Sequence, residues 1–184
     1  SSMYFCPNHT RAWRTTTYHK IGGHDPTLSV ADDMDLICRL FIEGEIKHLD
    51  FCGAVYRVDG SNTYINRSDK IWQLVPILRD KYLALMAEAE CIRNGWPMLD
   101  FGGRFNSPPG YTSVDLKDGD INADLTKRYP FEDNSVGIVR AVDFLEHIQD
   151  KMHSLSEIHR ILRPGGMFFS KTPSTCGPNG EGGM

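Results

Sequence analysis

The hydrophobic pattern of the chain changes near residue 97. Between residues 64 and 94, apolar residues recur at spacings of three and four, which predicts one long amphipathic helix with a buried stripe. The stripe comprises Ile71, Leu74, Val75, Leu78, Tyr82, Leu85, Met86 and Ala89. Pro76 lies within this run, where a proline begins or kinks a helix. The sequence Asn94-Gly95-Trp96-Pro97 then predicts that the helix ends.

From residue 97 to residue 172, short apolar runs alternate with polar or helical segments, which is typical of β/α units. Two of the runs end in glycines or in a carboxylate, namely Leu99-Asp100-Phe101-Gly102-Gly103 and Tyr111-Thr112-Ser113-Val114-Asp115. The carboxyl ends of parallel strands form the ligand-binding edge of an open α/β sheet. The predicted fold class is therefore α/β, with a partial Rossmann-like parallel sheet preceded by a long helix.

Residues at these strand ends suit a nucleoside ligand. The glycines Gly102-Gly103 have no Cβ atom, so the backbone there can approach a ligand closely. Asp115 could accept hydrogen bonds from both hydroxyls of a ribose. Asp124 could accept one from the amino group of an adenine, and Leu125 or Phe131 could cover the base. The alternative for each aspartate is a loop carboxylate that caps a turn.

The second half of the chain resembles the class I S-adenosylmethionine-dependent methyltransferases. The resemblance rests on LDFGG at 99–103, PGYTSVDL at 109–116, ADLT at 123–126, PFEDNSV at 130–136, LEHI at 145–148 and EIHRILRPGG at 157–166. It implies a methyltransferase that uses S-adenosylmethionine as cofactor. It also implies that Asp100 belongs to the cofactor site, and that Asp143 contacts the methionine part or the acceptor.

Two departures from this family concern the methionine end of the site. Family members have glycines at alternate loop positions, where this chain has Arg104 and Asn106. Only about eight residues separate Gly102 from Tyr111, whereas a crossover between parallel strands needs about a dozen. We therefore expect the first crossover helix to be absent or reduced to a turn. The alternatives for the function are a glycosyltransferase-derived module, or a non-catalytic remnant or interaction module with a decayed cofactor loop.

His147 is the candidate general base. The sulfonium carbon of the cofactor is already electrophilic, so methyl transfer needs chiefly in-line positioning, and a base only when a hydroxyl attacks. His147 stands beside Glu146 after the fourth predicted strand. The alternative is a histidine that packs or caps at a helix start.

Residues 9–62 resemble the C-terminal part of family 2 glycosyltransferases. The resemblance rests on HTRAWR at 9–14, YHKIGGHD at 18–25, ADDMDLICRL at 31–40, GEIKHL at 44–49 and VYRVDGSNT at 55–63. It implies that Asp33 is the base that deprotonates an acceptor hydroxyl. The alternative for Asp32-Asp33 is a helix cap, because carboxylates suit a helix start.

These resemblances predict three regions. They are a glycosyltransferase-like segment at 1–62, a helical linker at 63–96 and a truncated methyltransferase-like cofactor-binding domain at 97–184. Together they predict a fragment of a fusion protein that methylates a glycan or sugar hydroxyl. A truncated sheet would leave an unpaired edge, which favours a homo-oligomer.

The composition of the chain limits the classes of partner that it is expected to bind. The 184 residues carry a formal net charge of −4, which argues against a general nucleic-acid or anionic-membrane surface. No apolar run reaches the ~18 residues of a membrane span. The 5 cysteines form no CxxC pair. The sequence thus predicts no metal site, and reduced thiols in a cytoplasmic protein.

Overall fold

The structure is a computed structural model, and it describes residues 11–47, 50, 66–103 and 106–173. The chain divides into two compact units, Ser1–Glu90 and Cys91–Met184. Arg104 lies outside the described residues. So do the segment at 55–63 and the first two residues of the segment at 9–14, on which part of the glycosyltransferase resemblance rests.

The first unit is helical in its described part. Its helices are α1 (Thr15–Lys20), α2 (Asp32–Glu43) and α3 (Ser68–Asn94), the last of which runs on past the boundary at Glu90. Apolar side chains of α2 and α3 pack into one core, formed by Cys38, Leu78, Tyr82 and Met86 with Ala31, Met34, Phe41, Ile42 and Leu74 around them. The predicted long helix is therefore confirmed, and it continues through Pro76, which is exposed.

The buried stripe of α3 differs from the predicted one at a single leucine. Leu78 is 4% exposed, as expected, whereas Leu85 is 46% exposed. The buried residues Leu78, Tyr82 and Met86 follow each other at intervals of four, and each such step turns about 40° around a helix. Leu85 lies about 100° from Met86 on the wheel. The stripe therefore moves away from Leu85 as it follows α2.

A buried carboxylate ties the three helices of this unit together. Asp35 accepts hydrogen bonds from Arg39 Nε at 2.8 Å and from the Tyr82 hydroxyl at 2.5 Å. Arg39 also donates from Nη1 to the Ile21 carbonyl oxygen at 2.7 Å. Because a buried charge is tolerated only when it is paired and hydrogen-bonded, this network fixes α2 relative to α3 and to the end of α1.

The second unit contains a sheet of five parallel strands in the order β3-β2-β1-β4-β5. The strands are β1 (Met98–Phe101), β2 (Thr112–Asp115), β3 (Ile121–Asn122), β4 (Val136–Val142) and β5 (Leu162–Lys171). This confirms the predicted α/β class with a Rossmann-like parallel sheet. The strand order reverses between β1 and β4, and such a switch point is where open α/β sheets bind ligands.

One face of the sheet packs against helix α4 (Lys151–Ile161). The core there joins side chains of β1, β2 and β4 to Ile158 and Ile161 of the helix. In the β1–β2 connection, none of the described residues is in an α-helix, as the short spacing predicted. The β3–β4 connection, residues 123–135, contains no helix either and lies alongside α4, where Arg160 and Glu157 hold it.

Strand β5 begins with a bulge. Val136 pairs with Leu162 and Ile138 pairs with Met167, so two steps along β4 correspond to five along β5. Gly165 adopts a φ of 81° in this bulge, a conformation that glycine reaches without a Cβ clash. The Arg163 guanidinium lies 3.1 Å from the centre of the Trp96 ring and so fixes the bulge to the turn before β1.

Candidate functional site

The carboxyl ends of β1 and β4 meet at the switch point, and the backbone turns sharply after each. Gly102 has a φ of 75° and donates its N–H to the Val114 carbonyl at 2.9 Å. Asp143 has a φ of 49° and donates its N–H to the Lys171 carbonyl at 2.8 Å. A non-glycine residue held in this conformation is often functional. Asp143 is exposed, so its carboxylate is available at this edge.

Gly103 occupies a position where a side chain would force its neighbours to move. A Cβ atom built there would overlap the Asp100 Oδ2 and Ser107 Oγ atoms. The glycine loop therefore closes directly onto these two side chains. The sequence predicted that these glycines let the backbone approach a ligand. At Gly103, the missing Cβ atom also lets the loop pack on its own side chains.

Asp100 is buried beneath this loop, with an exposed fraction of 0%. Its Oδ2 accepts a hydrogen bond from Ser107 Oγ at 2.8 Å, and its Oδ1 accepts one from Arg140 Nη1 at 2.6 Å. Asp100 and Arg140 are register partners on β1 and β4, so both side chains lie on the same face of the sheet. Because both of its carboxylate oxygens accept hydrogen bonds, Asp100 supports the conformation of the loop.

Asp115 lies half-buried at the end of β2, beside the switch point. Its Oδ1 accepts the Lys117 N–H at 3.2 Å. The turn that follows is held by Asp120, whose Oδ2 accepts the Ser113 N–H at 2.8 Å and the Ser113 hydroxyl at 2.9 Å. These two hydrogen bonds lower the pKa of Asp120. The end of β2 is therefore fixed, with the Asp115 carboxylate at the edge of the sheet.

Asp124 follows β3 and caps a turn. Its Oδ1 accepts hydrogen bonds from the Thr126 hydroxyl at 2.6 Å and the Thr126 N–H at 3.1 Å, and Lys127 Nζ lies 3.1 Å from its Oδ2. These contacts, led by the Thr126 hydroxyl, lower the pKa of Asp124 to about 2. The carboxylate is ionised at neutral pH, so it remains an acceptor for a ligand amine. The next residue, Leu125, is buried in the core.

Phe131 lies toward the opposite end of the sheet. Its carbonyl oxygen accepts a hydrogen bond from Arg160 Nη1 at 2.8 Å, in the last turn of α4. That helix leads directly into Leu162, which pairs with Val136, the first residue of β4. The structure thus places Phe131 near the amino ends of β4 and β5, away from Asp115. This placement gives no support to Phe131 as a cover for an adenine.

The two candidate bases lie in different units. His147 ends the 3-10 turn Leu145–His147, and its ring is exposed a few residues after β4. Asp33 is in the first unit, where it accepts the Met34 N–H at 2.8 Å and pairs with Arg11 Nη1 at 3.1 Å. The N-cap of α2 is Ala31, so Asp33 itself does not cap the helix.

Sequence reasoning did not identify Arg140 or Ser107 as parts of the site. A signal was present for Arg140, because it is the only charged residue in the apolar strand Val136–Val142. Ser107 offered no comparable signal.

The described residues give no indication of a metal site or a membrane helix. Among them, no group of His, Cys, Asp or Glu side chains could hold a metal ion. None of the helices in the described ranges combines the length and the apolar character needed to cross a membrane. Of the cysteines, Cys38 and Cys91 are buried and form no disulfide, and burial raises the pKa of Cys38 to about 11.

Comparison with known proteins agrees with this geometry. Residues 98–170 match the family of methyltransferase domains. A probable S-adenosylmethionine-dependent methyltransferase of Mycolicibacterium smegmatis is 39% identical over 64 residues, which is 35% of this chain and 23% of that protein. The matched part of the chain thus spans less than a quarter of the relative's length. No solved structure matches the chain significantly.

With the parallel sheet, these matches support a class I methyltransferase segment whose family uses S-adenosylmethionine as cofactor. The glycosyltransferase resemblance and the fusion find no support in the comparisons and remain predictions. The same holds for the cytoplasmic location and for a homo-oligomer formed through a sheet edge.

Proposed function

We propose that the second unit binds S-adenosylmethionine at the carboxyl edge of its sheet and transfers the methyl group. The observation that carries this proposal is the glycine loop at the switch point. Gly102 is exposed and turns there in a left-handed conformation, while Gly103 packs directly on Asp100 and Ser107 beneath it. A loop of bare backbone beside the Asp115 carboxylate fits a ligand that has a ribose and an extended amino-acid chain.

The proposed cofactor contacts follow from the strand order. Asp115 accepts the ribose hydroxyls, and Asp124, on the far side of β2, accepts the adenine amine. Gly102 and Gly103 border the methionine part, with Asp143 across the switch point. The bound cofactor supplies an electrophilic methyl group, so the protein's main contribution is to hold it in line with the acceptor.

We propose a glycan or sugar hydroxyl as the acceptor. The support is the glycosyltransferase-like pattern of residues 9–62, in which Asp33 would be the base of a separate glycosyl transfer. For methyl transfer to a hydroxyl, His147 is the proposed base, since its ring is exposed on the turn that follows the switch point. Another small-molecule acceptor would use the same cofactor site.

The alternative is a non-catalytic remnant, and the departures from the family's glycine pattern favour it. Asn106 is exposed and donates its N–H back to the Gly103 carbonyl at 2.9 Å, so the loop is held by its own backbone. A remnant would keep the sheet but would not bind the cofactor.

Calorimetry with S-adenosylhomocysteine tests the proposal. Charge-assisted hydrogen bonds contribute about 1.5–3 kcal/mol each, so Asp115→Ala should weaken binding by at least about tenfold. Glu132→Ala is the matched control, because Glu132 is an exposed carboxylate of the same unit with no proposed role. Wild-type protein that does not bind would favour the remnant. Binding that is equal in wild type and Asp115→Ala would exclude this ribose contact.

A further inference from the structure

We infer that Arg140 binds the carboxylate at the amino-acid end of S-adenosylmethionine. The inference rests on the proposed function and assigns a ligand group to a residue that neither the sequence patterns nor the comparisons single out.

Arg140 lies close to the carboxyl edge of β4, two residues before the strand ends at Val142. Its neighbours Val139 and Ala141 belong to the core on the α4 side, so Arg140 lies on the opposite face of the sheet. Asp100 is its register partner on β1, the strand that leads into the glycine loop. The guanidinium thus lies on the same face of the sheet as Asp100, close to the strand end where the glycine loop begins.

Arg140 is separated from the loop by a single side chain. Its Nη1 donates to Asp100 Oδ1 at 2.6 Å, and the other carboxylate oxygen of Asp100 holds Ser107 and borders Gly103. A ligand chain that lies along Gly102 and Gly103 would therefore pass close to this guanidinium.

The guanidinium retains donors for a ligand. Arginine has five side-chain N–H donors, and the bond to Asp100 is the only hydrogen bond that the Arg140 side chain makes to the described residues. The side chain is 28% exposed, while the Asp100 carboxylate is fully buried. An incoming anion would therefore meet the guanidinium first.

The planar fork of arginine matches a carboxylate, which it can hold through two parallel hydrogen bonds. S-adenosylmethionine has one carboxylate, on its amino-acid end, and its adenosine end has none. The contact should therefore discriminate ligands that carry the amino-acid chain from ligands that lack it.

The test compares two ligands by calorimetry. S-adenosylhomocysteine carries the amino-acid chain, and 5′-methylthioadenosine ends before it. Wild-type protein should bind the first at least about tenfold more tightly. Arg140→Met should remove most of that preference and leave the affinity for 5′-methylthioadenosine within about twofold. Arg128→Met is the control, because Arg128 is an exposed arginine of the same unit, and it should change neither affinity.

A second variant covers the case in which Arg140→Met does not fold, since it leaves Asp100 buried without its cation. Arg140→Lys keeps a positive charge opposite Asp100 but lacks the fork, so it should reduce the preference for S-adenosylhomocysteine. An equal loss of affinity for both ligands would mean that Arg140 only supports the loop, and unchanged affinities for both would mean that it touches no carboxylate. Either result overturns the inference while the proposed function stands. Wild-type protein that binds neither ligand overturns both.

Discussion

Arg160 offers the sharpest test of how the β3–β4 connection is held. Its guanidinium donates to the carbonyl oxygens of Tyr129 at 3.0 Å and Phe131 at 2.8 Å, to Asp133 Oδ1 at 2.6 Å, and to both oxygens of Glu157 at 2.9 and 2.7 Å. These bonds replace the helix that would otherwise join the two strands. Arg160→Met should therefore release residues 129–133 from α4.

The loss in free energy of unfolding caused by Arg160→Met can be worked out from the hydrogen bonds that it removes. Two hydrogen bonds to carbonyl oxygens contribute about 0.5–1.5 kcal/mol each, and a carboxylate left without its partner costs about 1–3 kcal/mol more. The Arg160 side chain is only 18% exposed, so solvent replaces little of this. We expect Arg160→Met to lower the free energy of unfolding by about 3 kcal/mol.

The assay is urea unfolding followed by Trp96 fluorescence in a Trp13→Phe, Trp72→Phe background, so that the signal comes from the second unit. Arg128→Met is the control, because Arg128 pairs with the same Asp133 at 3.8 Å but is 77% exposed. It should cost at most about 0.5 kcal/mol.

A double-mutant cycle separates the ion pair from the carbonyl contacts. Adding Glu157→Gln to Arg160→Met should recover about 1 kcal/mol or more, because the orphaned charge is gone. A cost below about 1 kcal/mol for Arg160→Met, or one equal to that of Arg128→Met, would refute the reasoning.

Three further predictions concern acid stability, the glycine loop and the helical core. Arg160 lowers the pKa of Glu157 from 4.5 to about 2, so the ionised Glu157 carboxylate stabilises the folded protein above pH 4.5, and this contribution is lost as the pH falls toward 2. Glu157→Gln should remove this part of the pH dependence of the free energy of unfolding, measured by urea titration. Gly103→Ala should abolish S-adenosylhomocysteine binding in calorimetry, whereas Gly44→Ala, in open space, should not. Leu78→Ala should lower unfolding stability by about 2–5 kcal/mol, and Leu85→Ala by less than about 1, both by urea titration.

Much of the fold was predictable because it depends on local periodicity. The spacing of apolar residues predicted α3, and the alternation of apolar runs predicted the parallel strands. Asp115 and Gly102 were recognisable as edge residues for the same reason, since Asp115 ends β2, Gly102 directly follows β1, and parallel strands end at one edge. The lack of an α-helix among the described residues of the β1–β2 connection was predicted from the short spacing between Gly102 and Tyr111.

Other features depend on which distant residues meet. Asp100 and Arg140 are 40 residues apart, and only the pairing of β1 with β4 makes them neighbours. The exposure of Leu85 depends on which side of α3 packs against α2. A helical wheel of α3 alone does not contain this information.

The sequence by itself determined the order of elements and the residues at the strand ends, because hydrophobic periodicity and turn chemistry act within a few residues. The tertiary structure decided what those residues touch. It turned Asp100 inward beneath the loop, and it carried Phe131 toward the amino ends of the strands, where Arg160 holds it. The physical reason is that a side chain's partners are set by the packing of whole elements, and packing joins residues that no local pattern relates.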